Sequence, residues 1–128
     1  MNTIIEVAYM GLRFEAIEKF KSIEKVGVSK YQFTPVERNK YIFSVDQREN
    51  GKKVIKNFVD WVEKKYPHIA SIGETNKSTV LEYLCELKDN LNYERIASST
   101  KENKINLEMS ILNKIFSFEL KNEDLTPT

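Results

Sequence analysis

Three stretches of this 128-residue chain carry side chains suited to one kind of chemistry, the holding of phosphate oxygens. Ser98, Ser99 and Thr100 stand directly before Lys101, Asn103 and Lys104, and Asn76 stands before Lys77, Ser78 and Thr79. Lys52, Lys53, Lys56 and Asn57 form a third group whose spacing puts them on one side of a helix. A helix start offers unpaired backbone N–H groups and a partial positive charge, and hydroxyl side chains add donors there, so such a start suits an anion. Lysines on the first turns supply point charges that release counter-ions from a polyanion. The amides of Asn57 and Asn103 have the donor and acceptor pair that matches adenine in a major groove. The same residues also have a plain structural use, because Ser and Thr cap helices and lysine runs are common on solvated helix faces.

Other reactive residues point to no catalytic site. His68, the sole imidazole, follows Pro67 with no ligand or acid–base partner at a useful spacing. Cys85 is the single thiol and falls in an apolar helical pattern, which suits a packed structural cysteine rather than a nucleophile. Six tyrosines are present, Tyr83 and Tyr93 among them, but no set of arginines surrounds any of them in the pattern that phosphoryl transfer to a tyrosine needs. A glycine-rich phosphate loop and paired metal carboxylates are also missing from the sequence. The expectation is a protein without cofactor or metal and without catalysis of its own.

Composition sets the frame for these groups. Apolar residues make up 41% and charged residues 30%, with four glycines and three prolines, which suits a globular, mostly helical chain. Net charge is +1, so binding to a polyanion must come from local clusters. The charge is uneven, with thirteen basic and nine acidic side chains in residues 1–66 against seven and ten in residues 67–128. A lone cysteine excludes an internal disulfide and fits a reducing cytoplasm. The start of the chain lacks the pattern of a signal peptide, and no apolar run reaches the roughly 20 residues of a membrane span.

The elements that must position the three groups follow from apolar spacing. Ile5, Ala8, Leu12 and Ala16, joined by Ile17, Phe20 and Ile23, form the stripe of a helix over residues 4–26, with Gly27 as its stop. That stripe needs a partner surface, either in this chain or in a second subunit. Thr34-Pro35-Val36-Glu37 has the chemistry of a helix start and predicts a helix over 35–43. Ser44 can cap a helix over 45–66 whose face is Val54, Ile55, Phe58, Val59, Trp61 and Val62, with Asn50-Gly51 a point where it could break. Ile69 and Ile72 anchor a loop, and residues 77–90 form a helix through Val80, Leu81, Leu84, Leu87 and Leu91. A Ser99–Glu102 capping signal opens a last helix built on Ile105, Met109, Leu112 and Phe116. Residues 122–128 form a polar tail or linker. Phe58, Trp61, Val62, Leu84, Leu87, Leu112 and Phe116 are the expected core of an all-α bundle of about five helices.

From residue 44 onward, the order of these signals resembles the core-binding, SAM-like N-terminal domain of tyrosine recombinases and phage integrases. The likeness rests on Phe58-Val59-Asp60-Trp61-Val62, on Thr79-Val80 followed by Tyr83 and Leu87, and on Ser110 to Phe118 entered through Ser98-Ser99-Thr100. It implies a DNA-binding domain over 44–121, preceded by a helical extension over 1–43 that could serve oligomerisation. It also implies double-stranded DNA as partner, clamped by helix starts and lysines, with catalysis left to a separate domain. A DNA-binding repressor of the same fold and a helical protein-interaction module are the alternatives.

Overall fold

The computed structural model describes residues 11–125 and divides the chain into two compact units, Met1–Glu74 and Thr75–Thr128. The fold is all-α, and among the described residues the only strand-like feature is one isolated bridge between Glu24 and Ile42.

In the first unit, α1 spans Leu12–Ile23, α2 spans Pro35–Arg38 and α3 spans Val45–Lys65, with single 3₁₀ turns at Lys30–Gln32 and Ile72–Glu74. Leu12, Ala16, Phe20 and Ile23 recur at steps of four and three, so they share one face of α1 and are buried. That face packs on α3, which buries Val54, Ile55, Phe58, Val59 and Val62. The α1 stripe is therefore satisfied within this chain from Leu12 onward, while Ile5 and Ala8 lie outside the described residues. Ile17 departs from the expected stripe and is 41% exposed. Arg13 ties the two helices on their outer side, donating to Asp60 Oδ1 at 2.5 Å and Glu63 Oε1 at 2.6 Å. These hydrogen bonds hold the Asp60 carboxyl below the usual carboxylate range and raise the guanidinium further. Exposed ion pairs of this kind contribute only about 0–1 kcal/mol each, so the apolar face is the main adhesive.

The helix expected over 35–43 stops at Arg38. Its start is as predicted: Thr34 Oγ1 accepts from the Glu37 N–H and the Glu37 carboxylate accepts from the Thr34 N–H. Its end is set by long-range pairing, because the Ile42 N–H donates to the Ile23 carbonyl at 3.0 Å and the Lys25 N–H to the Ile42 carbonyl at 2.7 Å. Ile42 is thereby pulled into the core as extended chain and is fully buried. Gly27, at φ +89°, makes the turn after α1 in a region that residues with a Cβ rarely adopt. Helix α3 runs without a break through Gly51, capped by the Ser44 hydroxyl, which accepts from the Gln47 N–H.

In the second unit, α4 spans Lys77–Asn92 and α5 spans Ser98–Phe116, and a 3₁₀ turn covers Asn122–Leu125. Val80, Tyr83, Leu84 and Leu91 of α4 are buried, as are Ile105, Met109, Ile111, Leu112, Ile115 and Phe116 of α5, and the two helices pack on each other. Residues 122–125 are not a loose linker: Leu125 is buried and this turn packs against α4. Asn113 secures the approach to it, its amide bonding both the N–H of Leu120 at 2.7 Å and the carbonyl of Leu120 at 3.1 Å. Ser117 and Glu119, both at φ 56°, make the tight reversal that this clamp encloses.

Two expectations are corrected here. Trp61 and Leu87 are half-buried rather than core, Trp61 lying beside Phe58, Tyr66 and the Lys65 ammonium at the margin of α3. The last helix takes Ala97 as its cap and has no side-chain cap, so Ser98, Ser99 and Thr100 occupy its first turn. The boundary expected at residues 43/44 lies within the first unit, Met1–Glu74.

Candidate nucleic-acid interface

The phosphate-suited residues fall into two sets, one in each unit. On α3, Lys52 and Lys56 form one i, i+4 row and Lys53 and Asn57 the next, and all four are exposed. The row is partly answered by its own helix: Lys52 stands 3.8 Å from Glu49 and Lys56 stands 3.3 Å from Asp60. Such pairs exchange readily for a phosphate, since an exposed pair contributes at most about 1 kcal/mol.

In the second unit the start of α5 opens on a cleft of about 480 Å³. Ser98, Lys101 and Glu102 line it from α5, Lys88 and Asn92 from the end of α4, and Asn122 from the 3₁₀ turn. Leu91 and Ile105, both buried, give the cleft apolar lining. No side chain caps α5, and the Thr100 and Lys101 N–H groups donate to the Ala97 carbonyl at 3.0 and 3.1 Å, so among the first-turn N–H groups those of Ser98 and Ser99 lack a helical partner. Lys101 is half-buried with its ammonium 3.4 Å from the Asn92 carbonyl, which holds it across the cleft mouth. Glu102 is the carboxylate that opposes the two lysines there.

The remaining expected residues are dispersed. Ser99, Thr100 and Asn103 are exposed on the first turns of α5 but do not line the cleft, and Lys104 is paired with Glu94 at 3.7 Å. Lys77 and Ser78 begin α4 at its far end, roughly 20 Å along the helix from Asn92 at 1.5 Å per residue. Lys77 is paired there with Asp124 at 3.5 Å, and Asn76 acts as an ordinary cap, accepting from the Thr79 N–H at 2.9 Å. The group at the start of α4 is thus built as structure, whereas the one at the start of α5 adjoins a cleft.

Sequence reasoning missed Lys88, Asn92 and Asn122 as cleft residues, since nothing local links them to Ser98. It also missed a buried polar pair between the two helices. The Tyr83 hydroxyl hydrogen-bonds the Glu108 carboxyl, and burial pushes that carboxyl up to about 7. Its Oε2 is enclosed without a hydrogen-bond partner. Tyr83 is raised as well, first by burial and then by the facing carboxylate. A sequence signal for this pair exists, because Glu108 falls on the same α5 stripe as Ile105, Met109 and Leu112.

Among the described residues, no group of three or more His, Cys, Asp and Glu side chains could hold a metal ion. Among the same residues, no helix is long and apolar enough to cross a membrane. Compared with family models, with curated proteins and with solved structures, the chain gives no match.

Proposed function

We propose that this protein is a double-stranded DNA-binding module that contacts the sugar–phosphate backbone through the start of α5 and through the lysine rows of α3. The observation that carries the reading is the uncapped first turn of α5 opening on a cleft flanked by Lys88 and Lys101. A helix start, a serine hydroxyl and two lysines lining one concavity suit a phosphate, which the helix dipole and the two charges favour. Lys52, Lys53 and Lys56 add a second, independent set of charges. The resemblance of residues 44–121 to recombinase core-binding domains supports the same reading and makes the module one half of a DNA clamp, with strand cleavage performed elsewhere.

A helical protein-interaction module is the second reading, favoured by one observation. Ile17, Phe20, Ile55 and Val59 floor an apolar groove of about 300 Å³ between α1 and α3, rimmed by Arg13, Lys21, Lys52 and Lys56.

Titration of a labelled duplex at low and moderate salt separates the two. The wild type binds and a Lys53, Lys56, Lys101 and Lys104 to alanine variant loses most of its affinity if the DNA reading is right. Equal binding by both proteins removes this surface, and no binding by either at low salt leaves the interaction module.

A further inference from the structure

The connector between α1 and α3 carries an excess of basic side chains, and nothing in the duplex reading uses it. Residues 25–43 contain four cations, Lys25, Lys30, Arg38 and Lys40, against the single acid Glu37. That acid is already engaged, since its carboxylate accepts from the Thr34 N–H within the capping box and is held below its ordinary pKa by that bond. The same stretch holds four aromatic rings. Phe33, Tyr41 and Phe43 cluster with centroids 5.0–6.4 Å apart, and Tyr31 stands out from them, 75% exposed.

Cations and rings interleave in a fixed way. The Arg38 guanidinium lies 5.1 Å from the Tyr31 centroid while its Nε donates to the carbonyls of Lys30 and Phe33, at 2.9 and 3.1 Å. Arg38 therefore locks the 3₁₀ turn that presents Tyr31. The Lys30 ammonium lies 5.5 Å from the same ring, and the Lys25 ammonium 5.4 Å from the Tyr41 ring. A large aromatic side chain held out in solvent by a backbone-anchored arginine gains nothing for the core. Planar apolar faces alternating with positive charge are the complement of a polyanion whose bases are unstacked, because each base can lie on a ring while its phosphate meets an ammonium.

We infer that this surface binds single-stranded nucleic acid, with Tyr31 as the stacking platform and Lys25, Lys30 and Lys40 as the phosphate contacts. A paired duplex offers the patch only its backbone, so the ring distinguishes strand from duplex. The inference stands apart from the duplex reading, since it involves none of the lysines of α3 or α5.

The test is fluorescence anisotropy of the full chain with a labelled oligo-dT of roughly ten nucleotides, a length within the range of small single-strand sites. Tyr31→Ala is expected to weaken binding about tenfold, the loss typical of one stacked base, while Tyr31→Phe, which keeps the ring, stays within about twofold of wild type. The variant lacking Lys53, Lys56, Lys101 and Lys104 keeps its oligo-dT affinity even where its duplex binding falls. Equal affinity of Tyr31→Ala and wild type overturns the proposal, as does absence of oligo-dT binding at low salt. Displacement of the strand by poly-glutamate at matched charge overturns it too, because an acidic peptide would then serve as well as bases.

Discussion

Glu108 makes stability depend on pH in the direction opposite to most carboxylates. Its carboxyl lies between α4 and α5 with Oε2 enclosed and unbonded, and burial raises its pKa to about 7, well above the 4.5 of an exposed Glu. The folded state therefore keeps a proton there that the unfolded chain has already released. Between those two values the native form binds more protons, so stability falls as pH rises. Below about pH 4.5 the stabilising contribution is fully present, and it is lost through pH 7, amounting to about 3 kcal/mol at 1.36 kcal/mol per pKa unit. The perturbation is Glu108→Gln, which keeps the shape and the capacity to accept from the Tyr83 hydroxyl but cannot ionise. Urea denaturation followed by circular dichroism at pH 5, 6, 7 and 8 reads the difference between the two proteins. At pH 5 they should be close, and at pH 8 the glutamine variant should be more stable by about 2–3 kcal/mol. A difference that stays constant across this range, or a variant less stable at pH 8, refutes the placement of Glu108 as a buried carboxyl that the fold holds protonated.

Two further outcomes follow from packing. Phe58 is 1% exposed and Trp61 only half-buried, so Phe58→Ala should cost about 3–5 kcal/mol and Trp61→Ala distinctly less, measured by the same denaturation. Asn113→Ala strips both backbone groups of Leu120 of their partner and should cost about 1–3 kcal/mol, with proteolysis appearing first in residues 117–125.

Local chemistry accounts for what could be read from residue order alone. Ser44 and Thr34 cap the helices they were expected to cap, and Leu12, Ala16, Phe20 and Ile23 of α1 and the α5 stripe bury as their spacing requires, because caps and stripes act over three or four residues. The failures lie where distant residues decide. The helix after Pro35 is cut short by a pairing of Ile42 with Ile23, and the polar tail is held by Leu125, a single apolar residue in a window that reads as linker. Local pattern also put Trp61 in the core from its neighbours Phe58 and Val62, although helical rotation carries it to the edge of their face.

The candidate site divides in the same way. Lysine exposure on α3 was legible from amphipathicity, and so was the start of α5 to within two residues. The partners of those lysines were not. Glu94 for Lys104 and Asp124 for Lys77 come from separate turns of the second unit, and the cleft at Ser98 depends on Lys88 and Asn92 from another helix. Residues 25–43, read as a short connector followed by a helix over 35–43, hold a cluster of rings and cations, since the cation–ring contacts arise from the 3₁₀ turn at Lys30–Gln32 and the short α2.

The central claim, that lysines of α3 and α5 meet duplex phosphates, is tested most directly by the salt dependence of duplex affinity. Each phosphate neutralised contributes about −0.9 to the slope of log K against log salt concentration, so contacts from Lys53, Lys56, Lys101 and Lys104 predict a slope steeper than about −3 for the wild type. Each single alanine substitution should reduce its magnitude by about 1, equally on unrelated duplex sequences. A wild-type slope near zero, or one unchanged when all four lysines are replaced, contradicts the account.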